Sequence, residues 1–154
     1  MTPAIIAAKK AGIPFTVHEY KHDPSTDSYG LEAARALGVD PSQVYKTLIT
    51  RVEGQLVVVL VPVNKNLDLK ALASVLGAKK ATMAAMTDAE RATGYVVGGI
   101  SPLGQRKRLP TVVDESMLQF ETIYVSAGKR GLEIQLRPTD LIRLCQATTA
   151  AIAR

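Results

Sequence analysis

Residues 45–63 read Tyr-Lys-Thr-Leu-Ile-Thr-Arg-Val-Glu-Gly-Gln-Leu-Val-Val-Val-Leu-Val-Pro-Val, and this stretch decides the fold class. Tyr45–Val52 and Leu56–Val61 read as two strands, with Glu53-Gly54-Gln55 between them as a hairpin turn. The second strand has no polar face, which predicts a central strand covered on both sides. Outward from this hairpin, further strands are expected at Phe15–Tyr20, Tyr95–Val97, Thr111–Asp114, Thr122–Ser126 and Leu132–Leu136. Gly128-Lys129-Arg130-Gly131 joins the last two. Helices are expected after Thr2-Pro3 as far as Gly12, from Ser28 to Leu37, and from Asp68 to Leu76. Another opens at the Thr87-Asp88-Ala89-Glu90 capping box, and a last one runs from Thr139 to Ile152. Strands and helices mix without a βαβ alternation. The expected fold is therefore α+β: one domain with a mixed, largely antiparallel sheet, curled or barrel-like, surrounded by helices. A Rossmann fold is excluded.

The chain has 154 residues, 47% hydrophobic and 21% charged, with mean hydropathy +0.10. That is the balance of one folded domain and not of a disordered chain. Its longest clearly apolar run, Leu56–Val63, is far short of the roughly twenty residues of a membrane helix. One cysteine, Cys145, builds no disulfide framework and fits a reducing cytoplasm. With only two histidines beside it, a structural zinc site lacks ligands. The net charge of +5 favours an acidic partner, of which nucleic acid is the commonest, or reflects a basic surface with no specific role. Lys79-Lys80, Arg106-Lys107-Arg108 and Lys129-Arg130 are clusters without an adjacent acid.

Familiar catalytic motifs are missing. The stretch from Gly99 to Gly104 starts like a phosphate-binding loop, but Gln105-Arg106 stands where Lys-Ser/Thr is required. No Gly-x-Ser-x-Gly elbow occurs. Cys145 reads as a packed thiol, and His18 and His22 as core or surface histidines. Two features remain. Lys46 sits near the start of an otherwise apolar strand, either as a solvated strand end or as a half-buried ammonium for a phosphate or oxyanion. Val97-Gly98-Gly99-Ile100-Ser101-Pro102-Leu103-Gly104 is either a tight turn or a loop whose backbone N–H groups approach a ligand.

The chain resembles the YbaK family of Cys-tRNA(Pro) deacylases, homologous to the editing domain of bacterial prolyl-tRNA synthetases. The likeness runs over residues 1–154 as one YbaK-like domain. It is carried by Met1-Thr2-Pro3-Ala4, His22-Asp23-Pro24, Gln43-Val44-Tyr45-Lys46-Thr47-Leu48 and Leu67-Asp68-Leu69-Lys70. Leu76-Gly77-Ala78-Lys79-Lys80, Thr93-Gly94-Tyr95, Gly98 through Gly104 and Val125 through Glu133 complete it. The resemblance implies Lys46 as the essential polar residue near the ester or terminal phosphate. It implies a substrate pocket of Tyr20, Tyr29, Thr47, Ser126, Ala127, Gly128 and Glu133, with Gly98, Gly99, Ile100, Ser101 and Pro102 as the glycine loop at the tRNA 3′ end. Some relatives carry Phe at position 29 and Asp at 133, changes that keep chemical type.

The implied reaction removes cysteine mischarged onto tRNA(Pro), since a pocket separates near-isosteric small groups poorly. Cysteine's own thiolate attacks its ester carbonyl, so the family needs no metal, no cofactor and no protein nucleophile. Lys79, Lys80, Arg106, Lys107, Arg108, Lys129 and Arg130 are then candidates for acceptor-stem phosphates. The implied partners are cysteinyl-tRNA(Pro) and a complex with prolyl-tRNA synthetase, with neither DNA nor membrane, in the cytoplasm. With five Tyr, two Phe and no Trp, an RNA base-stacking platform is not expected. Three alternatives stay open: a deacylase for another mischarged tRNA such as Ala-tRNA(Pro), a non-catalytic tRNA- or synthetase-binding module, and a small-molecule-binding domain with an incidental basic surface.

Overall fold

A computed structural model describes residues 1–26 and 28–154. Thr2 opens helix α1 (Pro3–Ala11), its hydroxyl accepting from the Ile5 N–H, and strand β1 (Phe15–Glu19) follows. Helix α2 (Tyr29–Leu37) leads through a single 3-10 turn, Pro41–Gln43, into the hairpin β2 (Tyr45–Val52) and β3 (Gln55–Pro62). The hairpin turn is the two-residue Glu53-Gly54, since Val52 pairs with Gln55. Asp68 then caps helix α3 (Leu69–Val75) by accepting from the Ala71 N–H. Strand β4 (Ala81–Met83), helix α4 (Met86–Thr93), β5 (Thr111–Asp114), β6 (Ile123–Lys129), β7 (Leu132–Leu136), α5 (Pro138–Cys145) and β8 (Thr148–Ala150) complete the chain.

The α+β class with mixed pairing holds, and the strands divide into two sheets. One is antiparallel, in the order β1-β7-β6. The other runs β4-β2-β3-β5-β8, antiparallel around the hairpin and parallel from β3 through β8. A single bridge, Val44 to Tyr124, joins the sheets beside the start of β2, and they do not close into a barrel. The apolar β3 is central and covered on both faces. Val58 and Leu60 point into a core shared with α1, α5 and the three-stranded sheet, where Val125, Ile134 and Leu136 meet them. Val57, Val59 and Val61 point the other way, onto Leu72 of α3 and Ile152.

Four local expectations are corrected. Tyr95–Val97 is not a strand: the Tyr95 N–H goes to Thr93 Oγ1 and the Val97 N–H to the Glu90 carboxylate. Side chains of α4 thereby take donors that a sheet would need. The same bond removes Glu90 from the capping box, and α4 begins at Met86 after Ala85 with no side-chain cap. Ser28 does precede α2, but its hydroxyl makes no cap bond. The last helix stops at Cys145, where Gln146 turns left-handed with φ 49°. Beyond it β-branched Thr148 and Thr149 extend as β8, and the Asp114 carboxylate accepts from the N–H groups of Ile152 and Ala153. No described helix is long and apolar enough to cross a membrane.

Candidate functional site

β2 is paired with β3 along one whole edge, from Tyr45 opposite Pro62 to Val52 opposite Gln55. Its other edge is paired with β4 only at Thr50–Val52 and bridged to β6 only at Val44. Between these, residues 45–49 have no strand neighbour among the described residues, and a cavity of about 530 Å³ opens against them. The Ala84 N–H closes its far end by donating to the Ile49 carbonyl at 3.0 Å. An unpaired strand edge beside a cavity offers backbone polar groups to whatever enters.

Lys46 lines this cavity half-buried and makes no ion pair among the described residues. Removal from water, with no carboxylate to compensate, lowers its pKa. Next to it the Thr47 hydroxyl is shielded from solvent and has no hydrogen-bond partner among the described residues. The opposite wall comes from the three-stranded sheet, where Glu133 stands across from both His18 and Ser126 and Tyr20 follows β1. Burial pushes the Glu133 carboxyl up to about 8, so at neutral pH it is an uncharged acid able to donate a hydrogen bond. Burial first, and Glu133 second, push the Tyr20 phenol up to about 12.

Tyr29, in the first turn of α2, forms the third side. The Arg130 guanidinium lies over its ring at 4.2 Å, and His22 packs near it with ring centroids 5.8 Å apart. His22 Nδ1 is in turn hydrogen-bonded at 2.8 Å to buried Glu32, whose other oxygen accepts from the Asp23 N–H at 2.7 Å. His-Asp-Pro is therefore a brace that holds the loop before α2 against the helix carrying Tyr29.

Of the expected pocket residues, Lys46, Tyr20, Tyr29, Thr47, Ser126, Glu133, Gly98 and Ile100 line the cavity. Five stand behind the lining. The Ser101 hydroxyl is fully buried and accepts from the Leu103 N–H, while the Pro102 carbonyl accepts from the Cys145 thiol. Gly99 packs so closely on the β6–β7 turn that a Cβ would sit 2.7 Å from Lys129 Cα. The Ala127 carbonyl accepts from the Thr2 hydroxyl, and Gly128 packs against Tyr95 and Thr2. These residues shape the loop and the bulge of β6 and do not line the cavity. Burial pushes the Cys145 thiol up to about 12, which keeps it protonated and inert.

The basic residues are spread. Lys79 and Lys80 lie at the turn end of the hairpin, where the Lys79 N–H meets Glu53. Arg106 packs over Gly94 at the end of α4, with Lys107 beside it, and exposed Arg108 follows. Lys129 and Arg130 alone adjoin the glycine loop. Sequence reading missed the apolar end of the cavity: Tyr45, Ile49 and Ala89 inside, with Met83 and Met86 at the mouth, 50% and 61% exposed. The signal was present in Met83-Ala84-Ala85-Met86, two exposed methionines around a short break.

In total the site offers one ammonium, one solvent-shielded hydroxyl without a partner among the described residues, a neutral acid and a free strand edge. No hydroxyl that lines it is hydrogen-bonded to a histidine or carboxylate among the described residues. It is built to hold and polarise, without an activated nucleophile of its own. Comparison with known proteins gives the family. The family described as aminoacyl-tRNA editing domain matches residues 23–144. This chain belongs to that family. "Putative Cys-tRNA(Pro)/Cys-tRNA(Cys) deacylase EbsC" of Enterococcus faecalis is 38% identical over 98% of this chain and 92% of its own length. "Multifunctional Ser/Thr-tRNA deacylase ProXp-y" of Escherichia coli K12 is 29% identical over 71% of this chain and 68% of its own. A crystal structure described as "a putative trans-editing enzyme for prolyl tRNA synthetase" superposes with TM-score 0.87 at 25% identity, covering 99% of this chain and 95% of that one. As a member, this aminoacyl-tRNA editing domain is an enzyme of translation fidelity.

Proposed function

We propose that residues 1–154 form one domain that removes cysteine from Cys-tRNA(Pro), and from Cys-tRNA(Cys), in a reducing cytoplasm. The observation that carries this reading is a cavity that holds a half-buried ammonium and an unpartnered hydroxyl, in which no lining hydroxyl is hydrogen-bonded to a histidine or carboxylate among the described residues. The missing nucleophile is then the substrate's own thiolate. It attacks the ester carbonyl carbon, a C–S bond forms, the ester C–O bond breaks, and the departing 3′ oxygen of the tRNA takes a proton. The cysteinyl thiolactone leaves and opens in water. Lys46 supplies charge to the oxyanion or the terminal phosphate, Thr47 and Glu133 hold polar atoms of the aminoacyl group, and Tyr20, Tyr29 and Ser126 wall it in. Lys129 adjoins the glycine loop at Gly99, on the side of the 3′ end, while Lys79, Lys80, Arg106, Lys107 and Arg108 reach stem phosphates in a salt-sensitive way. A complex with prolyl-tRNA synthetase supplies the choice of tRNA.

The test is release of labelled amino acid from Cys-, Ala-, Ser- and Pro-tRNA(Pro), by wild type and Lys46→Ala. The expected result is selective cysteine release that falls about a hundredfold in Lys46→Ala with an unchanged melting temperature. Equal release of serine or alanine would overturn the thiol mechanism. The likeness to the E. coli Ser/Thr-tRNA deacylase makes serine the sharper competitor. Binding without release by wild type would leave a tRNA-binding module.

A further inference from the structure

Among the described residues, Arg130 is the basic candidate whose guanidinium is tied to residues that line the cavity. Its Nη2 donates to the Val97 carbonyl at 2.9 Å, and its Cζ lies over the Tyr29 ring, 4.2 Å from the centroid. It thereby joins three segments distant in sequence: the first turn of α2, the glycine loop and the β6–β7 turn. Tyr29, Val97 and Gly98 all line the cavity, while Arg130 itself stays outside the lining. Gly98 is what lets it lie there. A Cβ at that position would come within 2.4 Å of Arg130 Nε, and the local φ of +95° disfavours any side chain.

Across the cavity from this clasp, the rim is made by the exposed methionines Met83 and Met86. The interior does not restrict size. At about 530 Å³ it falls in the range that holds drug-sized ligands, roughly 300–1,000 Å³, and admits side chains far bulkier than cysteine. A size limit on the aminoacyl group therefore falls to the residues around the mouth and not to the cavity volume. Methionines yield easily, whereas a guanidinium fixed by a planar stack and a carbonyl bond does not.

We propose that Arg130 is a positioning residue that sets the size limit of the aminoacyl group by clasping the glycine loop to Tyr29, and that it is not a phosphate contact. This rests on the editing-deacylase reading of the same cavity. Lysine keeps the charge but has no planar fork to stack and bond at once. Arg130→Lys and Arg130→Ala should therefore behave alike if Arg130 is a clasp, and differently if it binds phosphate.

The experiment measures binding to wild type, Arg130→Ala and Arg130→Lys by calorimetry. The ligands are 3′-aminoacylamino-3′-deoxyadenosine 5′-phosphates bearing alanyl, 2-aminobutyryl, valyl and leucyl groups, amides that carry the terminal phosphate but no thiol and do not turn over. Wild type should prefer the small members by about tenfold or more over leucyl, a gap that both variants reduce to about threefold. A lysine variant that binds like wild type while alanine weakens all four ligands evenly would overturn the clasp and assign a phosphate contact. Unchanged selectivity in both variants would overturn it too. The reading beneath fails separately: if wild type releases no amino acid from any tRNA yet selects among these amides through Arg130, the deacylase reading falls and the clasp stands. Arg130 is exposed, so neither variant threatens the core.

Discussion

Asp114 and Glu133 are both strand carboxyls, each 6% exposed, and the molecule treats them in opposite ways. Asp114, at the end of β5, accepts from the N–H groups of Ser116, Ile152 and Ala153 and thereby ties the chain's last residues to the five-stranded sheet. Glu133, on β7, accepts no such donors among the described residues, and burial pushes it up to about 8. Thr47, across the cavity, is likewise unpartnered, as is the strand edge on which it lies. Buried polar groups are normally satisfied, because leaving one unmade costs about 1–3 kcal/mol. At this cavity the fold accepts that cost at Thr47, and it leaves the Glu133 carboxyl and the β2 edge without protein partners among the described residues, so all three are free to meet a ligand.

The largest effect expected from this contrast is on the satisfied side. Asp114→Ala orphans three backbone donors, that of Ile152 fully buried and those of Ser116 and Ala153 partly so, and urea unfolding should show a loss of about 3 kcal/mol with turnover per folded molecule within about twofold of wild type. A marginal loss would mean that water replaces the carboxylate and that Asp114 is no anchor.

Next comes Glu133→Gln. The wild-type carboxyl has a higher pKa folded than its ordinary 4.5, so its stabilising contribution is complete below about 4.5 and is lost as pH rises toward about 8. The amide cannot ionise. Denaturant midpoints should fall from pH 5 to pH 8 in wild type and stay flat in the variant, leaving it more stable at pH 8 by on the order of 2 kcal/mol. Parallel pH curves for the two proteins would break the comparison.

The smallest change is Thr47→Val, which replaces the lone hydroxyl by a methyl of similar shape. Stability should rise by about 1 kcal/mol while cysteine release drops about tenfold, opposite signs that a structural hydroxyl cannot give. A loss of stability instead would show that the hydroxyl has a partner in the free protein.

Reading the chain locally worked where structure is local. Thr2, Asp68, the β2–β3 hairpin and the doubly covered β3 follow from caps, a short turn and an unbroken apolar run. It failed at Tyr95–Val97 and at the chain's end, where distant side chains decide, Glu90 in one case and Asp114 in the other. Strands β4 and β8 are three residues each, too short to show a period. Lys46 and the glycine loop stood out as departures from pattern, and the mouth methionines did not, because exposed methionine is unremarkable until a cavity lies beneath it.

The amino-acid sequence by itself determined the α+β class, the central strand, most helix ends and the family, because these rest on near-neighbour chemistry and on motifs in order. Only the tertiary structure decided that the strands form two sheets, that β2 keeps an open edge over a cavity, and that Arg130 lies on Tyr29. Each of those depends on which distant segments meet, and on which polar groups the meeting leaves without a partner.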